Sequence, residues 1–167
     1  MLQPLTRRTW APRGQTPTIN AWDRHDRLTA ITALTLTPHR RHCGLYFKLL
    51  RQNAKAEDFF WFLVDIRREV RKPLFVVWDR LGAHRKAERW FRELEIHWID
   101  FEYFPAYCPD LDPVEHVWTT TKWGRLANWP APNLDRLEER VTEDLFAQGN
   151  DQPLLKNHFR WAGLSLD

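Results

Sequence analysis

Hydrophobic positions along this chain recur with two different periods. From Leu28 to Thr37, Thr, Ile and Leu alternate in the manner of a half-buried strand, and Gly44–Leu50 is a second short apolar run. Pro38 to Cys43 supplies a hairpin loop between them. The period then changes. Phe59, Phe62, Leu63, Ile66 and Val70 follow the i, i+3, i+4, i+7, i+11 spacing of a buried helical stripe. Asn53 is placed to cap that helix, Arg67, Arg68, Arg71 and Lys72 load its C-terminal end, and Pro73 stops it. Leu74-Phe75-Val76-Val77-Trp78 is an unbroken apolar run, the mark of a strand buried on both faces. It ends abruptly at Asp79. Ala87, Trp90, Phe91 and Leu94 share one face of a second helix, and Ile96 to Phe104 predicts another strand. A third helix runs from Pro113, with Asp112 as its cap, to about Ala127, where Trp129-Pro130-Ala131-Pro132 breaks it. Leu134, Leu137, Val141 and Leu145 mark a fourth helix, and Leu154–Trp161 a short last one. Strand, strand, helix, strand, helix, strand, helix, helix is an α/β pattern with a mixed sheet.

Composition adds limits to this outline. A chain of 167 residues, 43% hydrophobic and 28% charged, suits one soluble folded domain. Residues 1–51 form a basic arm with two strands, 52–128 a central core, and 129–167 the C-terminal helices. No apolar run approaches the ~20 residues needed to cross a bilayer, and Met1–Leu5 does not open a signal peptide, so the expected location is cytoplasmic. Cys43 and Cys108 read as ordinary thiols. His39, His42 and Cys43 lack the second ligand pair that a metal loop needs. The net charge of +3 is unevenly spread. Residues 1–51 hold nine Lys/Arg against Asp23 and Asp26, a net +7, while the remainder holds 16 basic and 20 acidic residues, a net −4. A basic third beside an acidic remainder suits a polyanion such as nucleic acid, and an arginine-rich solvated surface has the same composition. Arg7, Arg8 and Arg13 cluster around Trp10 in a turn-rich segment able to track a phosphate backbone.

Two carboxylates carry the candidate chemistry. Asp79 stands at the C-terminal end of a buried strand, where open α/β sheets collect their ligand sites. Glu115 stands one turn inside the helix that Asp112 caps. Each has a plain structural alternative: Asp79 capping the next helix, Glu115 closing a capping box. Together, carboxylates on a strand end and a helix start can hold Mg²⁺ or Mn²⁺ against a phosphodiester, or serve as the acid pair of a glycosidase. A two-metal site calls for a third carboxylate. Lys122 lies seven residues beyond Glu115, on the same helical face, either meeting a phosphate or simply solvated.

Trp78-Asp79-Arg80-Leu81-Gly82-Ala83-His84-Arg85, followed by Pro105-Ala106-Tyr107-Cys108-Pro109-Asp110-Leu111-Asp112-Pro113-Val114-Glu115-His116-Val117-Trp118, resembles the DDE-superfamily transposases, in the insertion-sequence branch related to mariner elements. The 35 residues between Asp79 and Glu115 are close to that family's spacing. Arg8-Thr9-Trp10-Ala11-Pro12-Arg13-Gly14-Gln15-Thr16-Pro17 resembles the segment after the family's first strand. The resemblance implies a ribonuclease H-like mixed sheet flanked by helices and metal-dependent DNA cleavage and strand transfer in a homodimeric, nucleoid-associated bacterial enzyme. Asp79 and Glu115 are then the second and third acidic metal ligands. His84 matches a frequent family histidine and joins Arg7, Arg8, Arg13 and Lys122 as a candidate DNA contact. Arg80, Asp112 and His116 each replace an Asn common in the family.

One departure goes further. The family's first catalytic Asp precedes the Arg-Thr-Trp-Ala-Pro-Arg-Gly segment, and here no acidic residue occurs before Asp23. Asp23 and Asp26 read instead as a turn before the next strand. A helix-turn-helix region is missing too. Loss of the first, central strand would leave its neighbours with unpaired edges. The expectation is therefore an N-terminally incomplete catalytic domain, inactive alone, with a non-catalytic DNA-binding or dimerising remnant as the alternative.

Overall fold

The computed structural model describes residues 6–18, 27–106 and 108–166. Asp23 and Asp26 lie outside them.

Strands β1 (Thr29–Leu36) and β2 (Cys43–Leu50) form an antiparallel pair, with Thr29 opposite Leu50 and Leu36 opposite Cys43. Gly44 sits where a Cβ would lie 2.6 Å from the Thr35 hydroxyl on the partner strand, so a side chain there would require Thr35 to move. Helix α1 (Ala56–Val70) follows. Its N-cap is Lys55 rather than Asn53: Asp58 reaches back to accept the Lys55 N–H at 2.9 Å, while the Asn53 side chain accepts from Arg27 at 2.7 Å. The far end is as expected. Arg71 takes the left-handed conformation (φ 55°) and its N–H closes on the Arg67 carbonyl.

Strand β3 (Leu74–Trp78), helix α2 (Gly82–Glu93) and strand β4 (Ile99–Tyr103) make a parallel unit in which Leu74 lies opposite Ile99 and Trp78 opposite Tyr103. Strand β4 is shorter than the expected 96–104 because residues 94–98 are spent turning out of α2. Helix α3 (Pro113–Thr120) runs into a π-helical turn at Thr121–Arg125, so the expected helix to Ala127 is not uniform. Helices α4 (Leu134–Gly149, capped by Asn133) and α5 (Gln152–Trp161, capped by Asp151) complete the fold.

Two helical layers organise the core. Phe62, Leu63 and Ile66 of α1 and Ala87 and Phe91 of α2 bury one face shared by both strand pairs, through Ile31, Trp78 and Ile99. Val117 of α3 with Val141 and Leu145 of α4 covers the opposite face of β1–β2, against Leu34, Leu45, Phe47 and Leu49. Leu155 and Phe159 of α5 pack on Cys43 beside it. The second layer stops at β1–β2. Strand β3, expected to be buried on both faces, therefore exposes Phe75 (69%) and Val77 (42%), whose side chains alternate away from α1 and α2. Strand directions are mixed, but among the described residues no backbone pairing joins the two strand pairs into one sheet.

Candidate active site

Strand β3 delivers Asp79 to the edge of the structure, and the backbone then turns directly into α2. Asp79 Oδ1 accepts the Leu81 N–H at 2.9 Å and bonds His84 Nδ1 at 2.6 Å. Its structural alternative is thus partly realised, since one oxygen organises the start of α2. The His84 ring lies parallel to Trp78 (centroids 4.7 Å apart, 3° between planes) and perpendicular to Phe59 (centroids 4.4 Å apart). Asp79 itself stays largely open to solvent.

The second acid arrives on a differently built element. Pro109–Leu111 makes one 3₁₀ turn, whose last N–H groups bond the Cys108 and Pro109 carbonyls. Asp112 then caps α3 as its sequence dictates, accepting the Val114 N–H at 3.0 Å, with Pro113 in the first turn. The reciprocal half of a capping box does not form, because the Asp112 N–H is committed to Pro109. Glu115 is left exposed, and among the described residues its carboxylate has no hydrogen bond or ion pair.

These elements meet around an open cavity of about 390 Å³, lined by Asp79, Asp112 and Glu115 together with Arg80, Phe104 and Pro105. The structure therefore brings together two acids that the sequence separates by 35 residues, and adds a third, Asp112, which sequence reasoning assigned to capping alone. Burial pushes the Asp112 carboxyl above its ordinary range, and the neighbouring Glu115 and Asp79 charges push the same way against the stabilising Val114 N–H. A signal for this placement was available in the sequence: a carboxylate one helical turn before Glu115. Even so, no three His, Cys, Asp or Glu side chains among the described residues are grouped to hold a metal ion.

The remaining candidates lie elsewhere. Arg7 is anchored rather than free: its backbone N–H donates to Asn128, Asn128 donates back to its carbonyl, and its guanidinium donates to the Trp123 carbonyl at 2.9 Å. That places it on the π turn that carries Lys122, which is exposed. Arg8 and Arg13 are exposed on an irregular segment, with Trp10 fully exposed between them. Cys43 and Cys108 are both free thiols. No helix among the described residues is long and apolar enough to cross a membrane.

A family model described as DDE superfamily endonuclease matches residues 1–138. Among solved structures, the chain is similar to the crystal structure of the Mos1 strand transfer complex, with a TM-score of 0.60 and 18% identity. That match covers 96% of this chain and 46% of the other, so the chain spans less than half the length of its structural relative. The likeness shows the fold, and it bears out the ribonuclease H-like α/β architecture expected from the sequence. The comparison with curated proteins gave no match.

Proposed function

Because this chain belongs to the DDE superfamily endonucleases, we propose that it is the catalytic domain of an insertion-sequence transposase related to mariner elements. Its substrates are the DNA ends of the element and the target DNA. The convergence of Asp79 and Glu115 on one cavity, from the end of a strand and the start of a helix, carries this reading. Both are hard oxygen donors of the kind Mg²⁺ or Mn²⁺ takes, and the negative charge massed with Asp112 favours a divalent cation there. When bound, such ions activate the attacking oxygen and stabilise the leaving one in phosphoryl transfer. The chain's own side chains divide the remaining work. Asp79 and Glu115 would hold the metal, Asp112 fixes the start of α3 that carries Glu115, Arg7 holds the basic arm against the π turn through its bond to the Trp123 carbonyl, and Arg8, Arg13 and Lys122 meet phosphates along that arm and turn. The assembled enzyme is a homodimer that acts on the nucleoid in the bacterial cytoplasm.

The second part of the proposal is that these residues alone do not cleave DNA. Two observations favour it: no three-ligand metal group among the described residues, and strand pairs β1–β2 and β3–β4 that no backbone bond joins. A strand that paired with both β1 and β3 and ended in an Asp would join the two pairs and add a third acidic ligand. The test is to fuse such a strand ahead of Arg7 and look for Mg²⁺- or Mn²⁺-dependent nicking of the element's ends. Nicking is expected only with the added strand and is expected to vanish in Asp79→Ala and in Glu115→Ala. Activity that survived both substitutions would sink the assignment. The same missing ligand group also favours a second reading, a non-catalytic DNA-binding remnant. That reading predicts DNA affinity that falls steeply with salt and no nicking in any strand-restored version.

A further inference from the structure

His84 is placed to do something more specific than meet a phosphate. Its Nδ1 lies 2.6 Å from Asp79 Oδ1, and a carboxylate can only accept, so Nδ1 carries the proton. The ring is held between Trp78, stacked on one face, and a perpendicular Phe59, and the side chain is only 14% exposed. Asp79 is in the opposite condition, with its side chain 63% exposed. Two donors converge on its Oδ1, His84 Nδ1 at 2.6 Å and the Leu81 N–H at 2.9 Å, while Oδ2 has no hydrogen-bond partner among the described residues. A flexible acid is thus held through one oxygen by a rigid imidazole, with the other oxygen uncommitted.

We infer that His84 is a positioning residue: through the Nδ1–H bond to Oδ1 it fixes the plane of the Asp79 carboxylate and leaves Oδ2 free to ligate a divalent cation. The inference rests on the metal reading of Asp79 given above. Outer partners of this kind orient carboxylate ligands much as they orient metal-bound imidazoles, and their loss typically weakens metal binding by about 10- to 100-fold. It also accounts for the neighbouring side chains. Trp78 and Phe59 hold the ring, the ring holds the acid, and the acid stands at the cavity.

The test compares the chain with three variants. His84→Phe keeps an aromatic ring against Trp78 and Phe59 but loses the N–H. His84→Asn keeps an N–H at about the Nδ1 position, and Asp79→Asn removes the ligand. Mn²⁺ affinity is read from water-proton relaxation, thermal melting reports the fold, and the imidazole Nδ1–H proton is followed by NMR without metal. The expected result has three parts: a downfield Nδ1–H signal that is lost in Asp79→Asn, Mn²⁺ affinity reduced about 10-fold or more in a fully folded His84→Phe, and partial recovery in His84→Asn. Wild-type affinity in folded His84→Phe would overturn the positioning role while leaving the metal site standing. Absence of the downfield signal would overturn the hydrogen bond on which the role depends. Mn²⁺ binding that is unaffected by Asp79→Asn would overturn the metal reading itself, and the positioning role with it.

Discussion

At the residue scale, Asp112 answers two demands that pull against each other. As the cap of α3 it profits from its negative charge, which accepts the Val114 N–H near the positive end of the helix. As a half-buried neighbour of Glu115 and Asp79 it is penalised for that charge, and its carboxyl pKa is raised. A carboxyl whose folded pKa exceeds its unfolded value gives stability that is present at low pH and lost as pH rises through the folded pKa. Asp112→Asn keeps an acceptor for the cap and removes the penalty, whereas Asp112→Ala loses the cap. In urea denaturation at pH 7 the Ala variant is expected to lose about 1 kcal/mol and the Asn variant to stay within about 0.5 kcal/mol of the parent. As pH is lowered toward 4, the parent should gain on the Asn variant. His158 works with the opposite sign. It is fully buried, and burial first, then the charge of His116, lowers its pKa from 6.5 to about 4. The folded state therefore binds fewer protons than the unfolded one. Its contribution is complete above pH 6.5 and is lost as pH falls toward about 4, a change of about 3 kcal/mol. A urea midpoint measured from pH 7 to 4 should fall in the parent and fall less steeply in His158→Gln.

At the element scale, the π turn after α3 shows where local reasoning reaches its end. Leu126 bonds back five residues to the Thr121 carbonyl, and Thr121 is fully buried beneath α4. Gln148 of α4 donates to the Thr121 hydroxyl and to Asp144, both at 2.8 Å, and its carbonyl oxygen faces His158 Nε2 at 3.2 Å. One amide thus ties the π turn, α4 and α5 together. Gln148→Leu should cost at least about 2 kcal/mol in chemical denaturation, because it takes their Gln148 bonds from the buried Thr121 hydroxyl and His158 Nε2 and leaves the buried Asp144 only its ion pair with Arg125. A loss under about 0.5 kcal/mol would mean that these bonds do not join the helices. None of this was legible in the sequence, because the partner of Thr121 lies 27 residues away. The capped start of α3 was legible for the converse reason: Asp112 and Pro113 act on the adjacent turn alone. Between these extremes, Asn53 was a plausible cap that Asp58 displaced by bonding Lys55, a choice between neighbours that propensity does not decide. Asp79 and Glu115 were legible as residue types at a strand end and a helix start. The bond from His84 was not, since it depends on how Trp78 and Phe59 orient a ring.

At the scale of the whole molecule, burial is set by which layers are present, not by how apolar a strand is. The run Leu74–Trp78 reads as doubly buried, yet α3, α4 and α5 are stacked over β1–β2, so β3–β4 has helical cover on one face only. Phe75 and Val77 consequently contribute less to the stability of the described fold than the face turned to α1 and α2, while they offer an apolar face next to a strand edge that is unpaired among the described residues. Faces and edges of this kind promote association between chains. The double variant Phe75→Ser, Val77→Thr should therefore keep its melting free energy within about 0.5 kcal/mol of the parent, as surface substitutions do. It should also remain monodisperse at concentrations where light scattering shows the parent to associate. Destabilisation by the roughly 3 kcal/mol that truncating a core aromatic costs would show that this face is buried in the protein in solution. The same pair of substitutions in the strand-restored version makes a sharper comparison. If completing the sheet also brings cover to this face, the cost should appear there and not in the parent.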